Sequence, residues 1–340
     1  MTPKEKFEII KRNTEEIVPE EELLELLKIK KKPVAYIGNA PTGRIHIGYY
    51  FWLSKVADFL KAGFKFKILL ADIHAHLDDQ KAPWELLDAR VVYYKAVLTA
   101  MLESLNIDTK NLEFVRGSDF QLDKKYTMDV YKLSALNTFS RCKKAASEVV
   151  RFGEHPKLSG FIYPILQSLD EEYLDVDMQI GGTDQRKILM FARENLPKIG
   201  YKSRIELTFP LMPGLLGDKM SASDIKSKID VLDSEEDVKK KINSAYCVAG
   251  EVEGNGLLAF LKHVIMPLKQ DSNKEFVIER PEKFGGNLSY KDYEAIKCDF
   301  ADKKIHPLDL KTALSTELNS LLETVRKKVK SNIVKKAYPQ

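Results

Sequence analysis

Two segments far apart in the chain carry groups suited to holding a phosphate. The first is P-T-G-R-I-H-I-G-Y, residues 41–49. Pro41 and Gly43 make a turn there, and Gly48 lets a ligand approach the backbone. The turn lies between an apolar run, Val34 to Ile37, and an apolar-periodic stretch, Trp52 to Leu60, closed by Gly63. It therefore reads as a strand-to-helix turn. A helix start concentrates free N–H groups and partial positive charge, and His46 beside it can donate to a phosphate oxygen. A histidine after a turn is ordinarily a solvated or capping residue, so the second segment matters. That segment is L-M-P-G-L-L-G-D-K-M-S-A-S, residues 211–223. Gly214 and Gly217 make it mobile, and Lys219, Ser221 and Ser223 offer an ammonium and two hydroxyls. With the His46 turn they would form a second clamp on a polyphosphate.

A third stretch, residues 158–174, reads as a helix with a polar stripe. At roughly 100° per residue, Tyr163, Gln167 and Asp170 fall within an arc of about 60°. Polar groups on an apolar face are costly unless satisfied. Two readings follow: a satisfied buried network, or the wall of a pocket for a small ligand with polar and apolar parts. Just downstream, G-G-T-D-Q-R-K opens another helix. Its glycines allow close backbone approach, and Asp184 and Gln185 can reach a ligand; a plain strand-to-helix turn is the ordinary alternative.

These groups need a scaffold. Strands are expected near Val34, over Phe64 to Ala71, Leu112 to Arg116, Asp177 to Ile180 and Arg204 to Phe209, with helices between them. That alternation predicts a doubly wound, mostly parallel sheet of the Rossmann-like α/β class, with right-handed crossovers and ligands beyond the carboxyl ends of the strands. Tyr36 falls in the first strand, where core packing is the default. Asp72, His74 and His76 follow the second and are expected to line a pocket rather than bind a metal. Residues 3–28 read as helix broken at Val18-Pro19. From Ser234 onward the pattern is helical, including Leu257 to Met266, Tyr290 to Phe300 and Leu308 to Val329, ending in a basic, solvated tail. The expected division is a helical segment at 1–32, a catalytic domain at 33–230 with a helical insertion at about 118–157, and a helical domain at 231–340.

The bulk properties exclude little. The 340 residues carry 54 basic and 50 acidic side chains, a net charge of +4, so any RNA contact must come from a local basic face. Arg141, Lys143, Lys144 and Arg151 form one such cluster, open to either a surface or an RNA reading. The 3 cysteines lie far apart, which fits neither a zinc site nor a disulfide framework and suits a reducing, cytoplasmic compartment. No long apolar run or signal core is present. No G-x-G-x-x-G follows the first strand, which argues against a nicotinamide enzyme.

The first segment resembles the H-I-G-H motif of class I aminoacyl-tRNA synthetases, and G-D-K-M-S-A-S resembles their K-M-S-K-S motif. Tyr163-Pro164, Gln167, Asp170 and G-G-T-D-Q-R-K are similar to the tyrosyl branch of that family, of archaeal and eukaryotic cytosolic type. A-D-I-H-A (71–75), A-Y-C (245–247), R-P-E-K-F-G-G (280–286) and H-P-L-D-L (306–310) extend the likeness over about residues 6–330. The resemblance implies a two-step reaction. A tyrosine carboxylate attacks the α-phosphate of ATP, and the 3′ end of tRNA(Tyr) then takes the tyrosyl group. Catalysis would come from positioning and charge stabilisation, with His46 and Lys219 acting alongside Mg2+.

By the same likeness, Tyr36 and Asp170 hold the substrate phenol, and Tyr163, Gln167 and Gln185 hold its ammonium. His74 lines the pocket. Gly43, His46, Gly48, Tyr49, Gly182, Asp184, Lys219, Met220, Ser221 and Ser223 face ATP. Lys144 and Arg186 meet the acceptor stem, while Phe284, His306 and Asp309 meet the anticodon. A homodimer formed through the insertion is expected, with no editing domain and no appended C-terminal domain. Two departures stand out: Tyr49 replaces the second histidine of the first motif, and Ala222 replaces the second lysine of the other. Cytosolic eukaryotic members tend to lack both groups as well. Lys219 is then left as the loop cation. The rivals are a tryptophanyl enzyme, disfavoured by the Tyr36 and Asp170 pair, and a catalytically silent RNA-binding relative.

Overall fold

The computed structural model describes residues 1–78, 80–214 and 228–339. Helices α1 (Pro3–Lys11) and α2 (Glu20–Ile29) flank a short strand, β1 (Glu16–Val18). Then come β2 (Val34–Asn39), α3 (Tyr49–Lys61), β3 (Lys65–Leu70), α4 (Asp72–Leu77), α5 (Leu87–Ser104) and β4 (Leu112–Arg116). Three helices follow: α6 (Ser118–Gln121), α7 (Lys124–Leu136) and α8 (Phe139–Ala146). They lead into α9 (Ser159–Tyr173), β5 (Met178–Gly182), α10 (Arg186–Asn195) and β6 (Ile205–Phe209).

The six strands lie in the order β1-β6-β5-β2-β3-β4. Pairings from β6 through β4 are parallel, and β1 joins β6 antiparallel at the edge. From β2 the chain first builds outward to β3 and β4. It then returns to the other side of β2 for β5 and β6. The direction of winding thus reverses between β2 and β5, which is where open α/β sheets bind ligands. The register widens this crevice: β2 and β5 pair only at Ala35↔Met178 and Tyr36↔Gln179, whereas β5 and β6 pair as far as Gly182↔Phe209. Beyond Tyr36 the two central strands part.

The expected strands and crossover helices are present, and three expectations need correction. Residues 1–32 are not purely helical, because β1 is a sheet strand. Its three residues are too few to show an alternating pattern, and its pairing with Glu206–Thr208 defines it. The basic end is not a solvated tail either. After α11 (Glu235–Ser244), α12 (Gly256–Phe260), α13 (Met266–Asp271), the hairpin β7 (Phe276–Ile278) and β8 (Leu288–Tyr290), α14 (Tyr293–Ala301) and α15 (Pro307–Lys328), a last helix, α16 (Ser331–Ala337), forms. It buries Ala337 and seats Tyr338, whose hydroxyl donates to the Gly43 carbonyl at 2.6 Å. The Arg90 guanidinium lies 4.9 Å from the Tyr338 ring centre. Lysines on the outer face of α16 hid this from a composition reading. Tyr290, expected in a helix, ends β8 instead. One apolar core runs through both halves, from Phe7 and Ile68 to Leu314 and Ala337.

Candidate active site

Beneath the crevice the structure assembles a dry polar pocket. Asp170 on α9 is 1% exposed and lies against the insertion. Its Oδ1 accepts from Gln121 Nε2 at 2.7 Å and from the Tyr126 hydroxyl at 2.9 Å. Burial pushes its carboxyl up to about 7, and the two donors pull against that rise. Gln121 and Tyr126 were not foreseen. They come from α6 and the first turn of α7 and share no helical face, so periodicity carries no signal for them.

Tyr36 is fully buried beside this carboxylate. Desolvation and the charge of Asp170 raise its pKa well above the ordinary phenol value. Its hydroxyl donates to the Gln167 carbonyl at 3.3 Å, not to Asp170. His74 closes the same pocket, its ring edge-on to Tyr163 at 4.6 Å between centroids. Burial lowers His74 to about 4, so it is a neutral imidazole near pH 7, and its Nε2 stands 4.0 Å from Asp170 with no hydrogen-bond partner. Its neighbours are otherwise engaged. Asp72 accepts from Arg116 at 2.6 Å and from the Ser118 hydroxyl at 2.7 Å, and His76 stacks on Trp84. Among the described residues no group of three His, Cys, Asp or Glu side chains is placed to hold a metal.

Along α9, Gln167 Nε2 donates to Gln185 Oε1 at 3.2 Å, which joins the two amides expected to act together. The turn after β5 is tight. A Cβ on Gly181 would lie 2.8 Å from Gln185 Cβ, and one on Gly182 would lie 2.6 Å from Asp184 Oδ1 and 2.7 Å from Leu211 Cδ2. Glycine there is a packing demand. Burial raises the Asp184 carboxyl above its usual range.

Across the switch point, the His46 turn opens α3 with Gly48 as its cap. His46 Nδ1 accepts the Gly48 N–H at 3.2 Å. Burial and the Lys228 charge lower its pKa to about 4. A neutral ring with Nδ1 accepting must carry its proton on Nε2, so His46 offers a neutral N–H donor. It lines a cleft of about 820 Å³ with Gly48, Asp184, Lys81, Lys143 and Arg151. Residues 229–231, downstream of the Lys219 segment, are tied to this turn. Ile47 N–H donates to the Ile229 carbonyl at 2.9 Å, Val231 N–H to the Ile45 carbonyl at 3.2 Å, and Arg44 pairs with Asp230 at 2.7 Å. Lys219, Met220, Ser221 and Ser223 themselves lie outside the described residues. Gly43 and Tyr49 stand behind the turn. The Gly43 carbonyl accepts from Tyr94 and Tyr338, and Tyr49 sets its ring edge-on to His46 and its hydroxyl 3.3 Å from that of Tyr94.

The family model for class I tRNA synthetases (W and Y) matches residues 28–323. The chain belongs to this family. The cytoplasmic tyrosine–tRNA ligase of Gallus gallus is 52% identical to it, covering 99% of this chain and 64% of that protein. The chain thus spans under two thirds of its vertebrate relatives' length. The tyrosine–tRNA ligase of Haloarcula marismortui is 46% identical, covering 100% of this chain and 99% of that protein. A crystal structure of tyrosyl-tRNA synthetase complexed with L-tyrosine from Archaeoglobus fulgidus superposes with a TM-score of 0.89 at 44% identity, covering 96% of this chain and 99% of that one. Tryptophanyl-tRNA synthetase from Aeropyrum pernix, at 18% identity and a TM-score of 0.70, shares the fold.

The remaining site residues of this class I synthetase chain are on its surface. Lys144 is exposed on α8, near Lys143 in the cleft wall. Arg186, exposed at the start of α10, makes a two-point pair with Glu16 at 2.6 and 2.8 Å. In the helical half, Phe284 is 62% exposed on the β7–β8 loop. Arg280 fixes that loop by donating to the Gly286 carbonyl at 3.0 Å and the Lys304 carbonyl at 3.1 Å. This brings Phe284 toward the start of α15, where His306 caps the helix by accepting the Leu308 N–H at 3.2 Å and Asp309 sits in the first turn. Arg280 thus ties the loop that carries Phe284 to the segment just before α15.

Proposed function

We propose that the chain is a tyrosine–tRNA ligase, forming tyrosyl-adenylate and pyrophosphate from L-tyrosine and ATP and then charging the 3′ end of tRNA(Tyr). The observation that carries this reading is Asp170, a buried carboxylate near the β2/β5 switch point whose Oδ1 is held by Gln121 and Tyr126, with Tyr36 and His74 beside it. A phenol can donate to its second oxygen, Oδ2, whereas phenylalanine would bring that oxygen no donor. Tyr163 and the Gln167–Gln185 pair then face the ammonium, which turns the carboxylate of tyrosine toward the cleft lined by His46. No protein nucleophile is needed. The substrate carboxylate attacks the α-phosphate, pyrophosphate leaves, and the His46 Nε2–H stabilises charge that grows on the phosphate oxygens. Lys219 is assigned to the leaving pyrophosphate, and Mg2+ to the oxygens of ATP itself.

For tRNA, the exposed Phe284 supplies a stacking face beside His306 and Asp309, and Lys143, Lys144 and Arg151 supply cations at the cleft mouth. Met128, Tyr131, Leu136 and Phe139, at least half exposed on α7 and α8, support a homodimer through the insertion. The names of its relatives support a cytoplasmic location, and among the described residues no helix is long and apolar enough to cross a membrane. Tyrosine-dependent ATP–pyrophosphate exchange, run with each amino acid in turn, tests the core of this proposal. Exchange with tyrosine alone is expected. Exchange driven by tryptophan alone would replace tyrosine as the substrate, and tRNA binding without any exchange would point to a silent relative.

A further inference from the structure

A second polar layer lies under the phenol pocket, and the mechanism does not use it. Tyr36 on β2 stands opposite Gln179 on β5, and Gln179 stands opposite Glu206 on β6. Paired residues of a sheet project to one face, so these three form a row beneath α9. Glu171, the residue after Asp170, enters the same layer from α9. Glu171 and Glu206 are 0% and 1% exposed. None of their four carboxyl oxygens has a donor, and neither has Gln179 Oε1 or Thr208 Oγ1.

Two ionised carboxylates without donors cannot be kept in such a place, because each would cost several kcal/mol of desolvation. The charged groups nearby do not resolve it. Arg193 donates to the Val18 carbonyl at 3.3 Å and lies 3.8 Å from Glu22. Arg204 donates to the Val176 carbonyl at 2.9 Å and to Glu172 at 2.6 Å. Both arginines draw the pair toward ionisation, the Asp170 charge opposes ionisation of Glu171, and the two glutamates in turn raise the Tyr36 phenol. A protonated carboxyl, unlike an ionised one, carries a donor of its own. With one proton between them, Glu171 and Glu206 satisfy each other.

We propose that Glu171 and Glu206 share one proton and act as a positioning pair for the phenol pocket. While the proton is held, α9 stays seated on β5 and β6. Asp170, next to Glu171, and the Gln167 carbonyl that receives Tyr36 then keep their places. When the proton leaves, two like charges face each other in a dry layer, and α9 is pushed from the sheet. The inference rests on the tyrosine-activation reading, since the groups displaced are those assigned to the phenol. The direction is upward for the pair: burial raises both carboxyls above their ordinary range, with the Asp170 charge adding to Glu171 and the Glu171 charge to Glu206.

The test compares the unmodified chain with Glu206→Gln in pyrophosphate exchange from pH 6.5 to 9.5. In the unmodified chain the KM for tyrosine should rise roughly tenfold across this range relative to the variant, with the KM for ATP unaffected. In Glu206→Gln an amide N–H bonds Glu171 at every pH, so the additional rise should vanish. Ionisation of the substrate's own ammonium appears in both proteins and cancels in the comparison. Superimposable profiles would overturn the shared proton. No exchange with tyrosine at any pH would instead remove the functional reading and leave the pair to a second measurement, thermal unfolding against pH. A carboxyl whose folded pKa is raised gives stability that is lost as pH rises toward that value. The melting temperature of the unmodified chain should therefore fall relative to Glu206→Gln between pH 6.5 and 8.5, and parallel curves would rule the proton out. Glu171→Gln is the reciprocal variant should Glu206→Gln fail to fold. A lowered melting temperature with unchanged pH dependence would mean simple packing and refute the proposal.

Discussion

The pocket around Asp170, proposed for the phenol, and the cleft at His46, proposed for the nucleotide, flank one switch point and, on that reading, solve different problems. The pocket is closed and dry. Its Asp170 already has two donors, its His74 is neutral, and Tyr36 is bonded to the helix that covers it. The cleft is about 820 Å³ and has cations spaced around its walls. Small differences between amino acids are best read where an unpaired group costs its full desolvation energy. A triphosphate, with spread and growing charge, is better served by a field and by donors from several elements. On the proposed function, recognition depends on the hydrogen-bond inventory of a few buried atoms, whereas activation depends on how many positive groups converge.

The sharpest way to break this contrast is Asp170→Ala. Discrimination of tyrosine from phenylalanine should fall from roughly 10⁴–10⁵, a magnitude known from tyrosyl-tRNA synthetases themselves, toward the small preference of an apolar pocket. Pyrophosphate exchange with both amino acids measures this, and retained discrimination would move phenol recognition elsewhere. Next comes His46→Ala, which should lower kcat for exchange by about 10²–10³ with little change in the KM for tyrosine, as for removal of one preorganised donor. A rise in that KM without loss of kcat would make His46 a binding group only. The smallest effect is expected for Tyr126→Phe. Removing one of the two donors to Asp170 should weaken tyrosine binding by about 10- to 100-fold, since a hydrogen bond to a charged group contributes about 1.5–3 kcal/mol. Titration calorimetry reads it directly. An unchanged affinity would mean that Gln121 alone holds the carboxylate.

Much of this site was legible before any coordinates. The turn at His46, the polar face of α9 and the glycines before Asp184 lie on local patterns, and local patterns survive in sequence. The doubly wound, mostly parallel character of the sheet followed from alternating apolar runs and short turns, but its strand order did not. The helical start of α11 could be read from Ser234, which accepts the Asp237 N–H, with acids behind it.

Other features needed the folded chain. Gln121 and Tyr126 reach Asp170 because the insertion folds back over α9, a contact that no spacing encodes. Strand β1 exists by virtue of β6, and α16 by virtue of α5 and the Gly43 turn it covers. The row from Tyr36 through Gln179 to Glu206 spans three strands brought into register by the sheet. What the sequence determined by itself was the set of elements and the chemistry each could offer, because periodicity and turn residues act over a few positions. Which of those groups share a desolvated space was decided by tertiary packing, because burial and pairing are properties of neighbours distant in the chain.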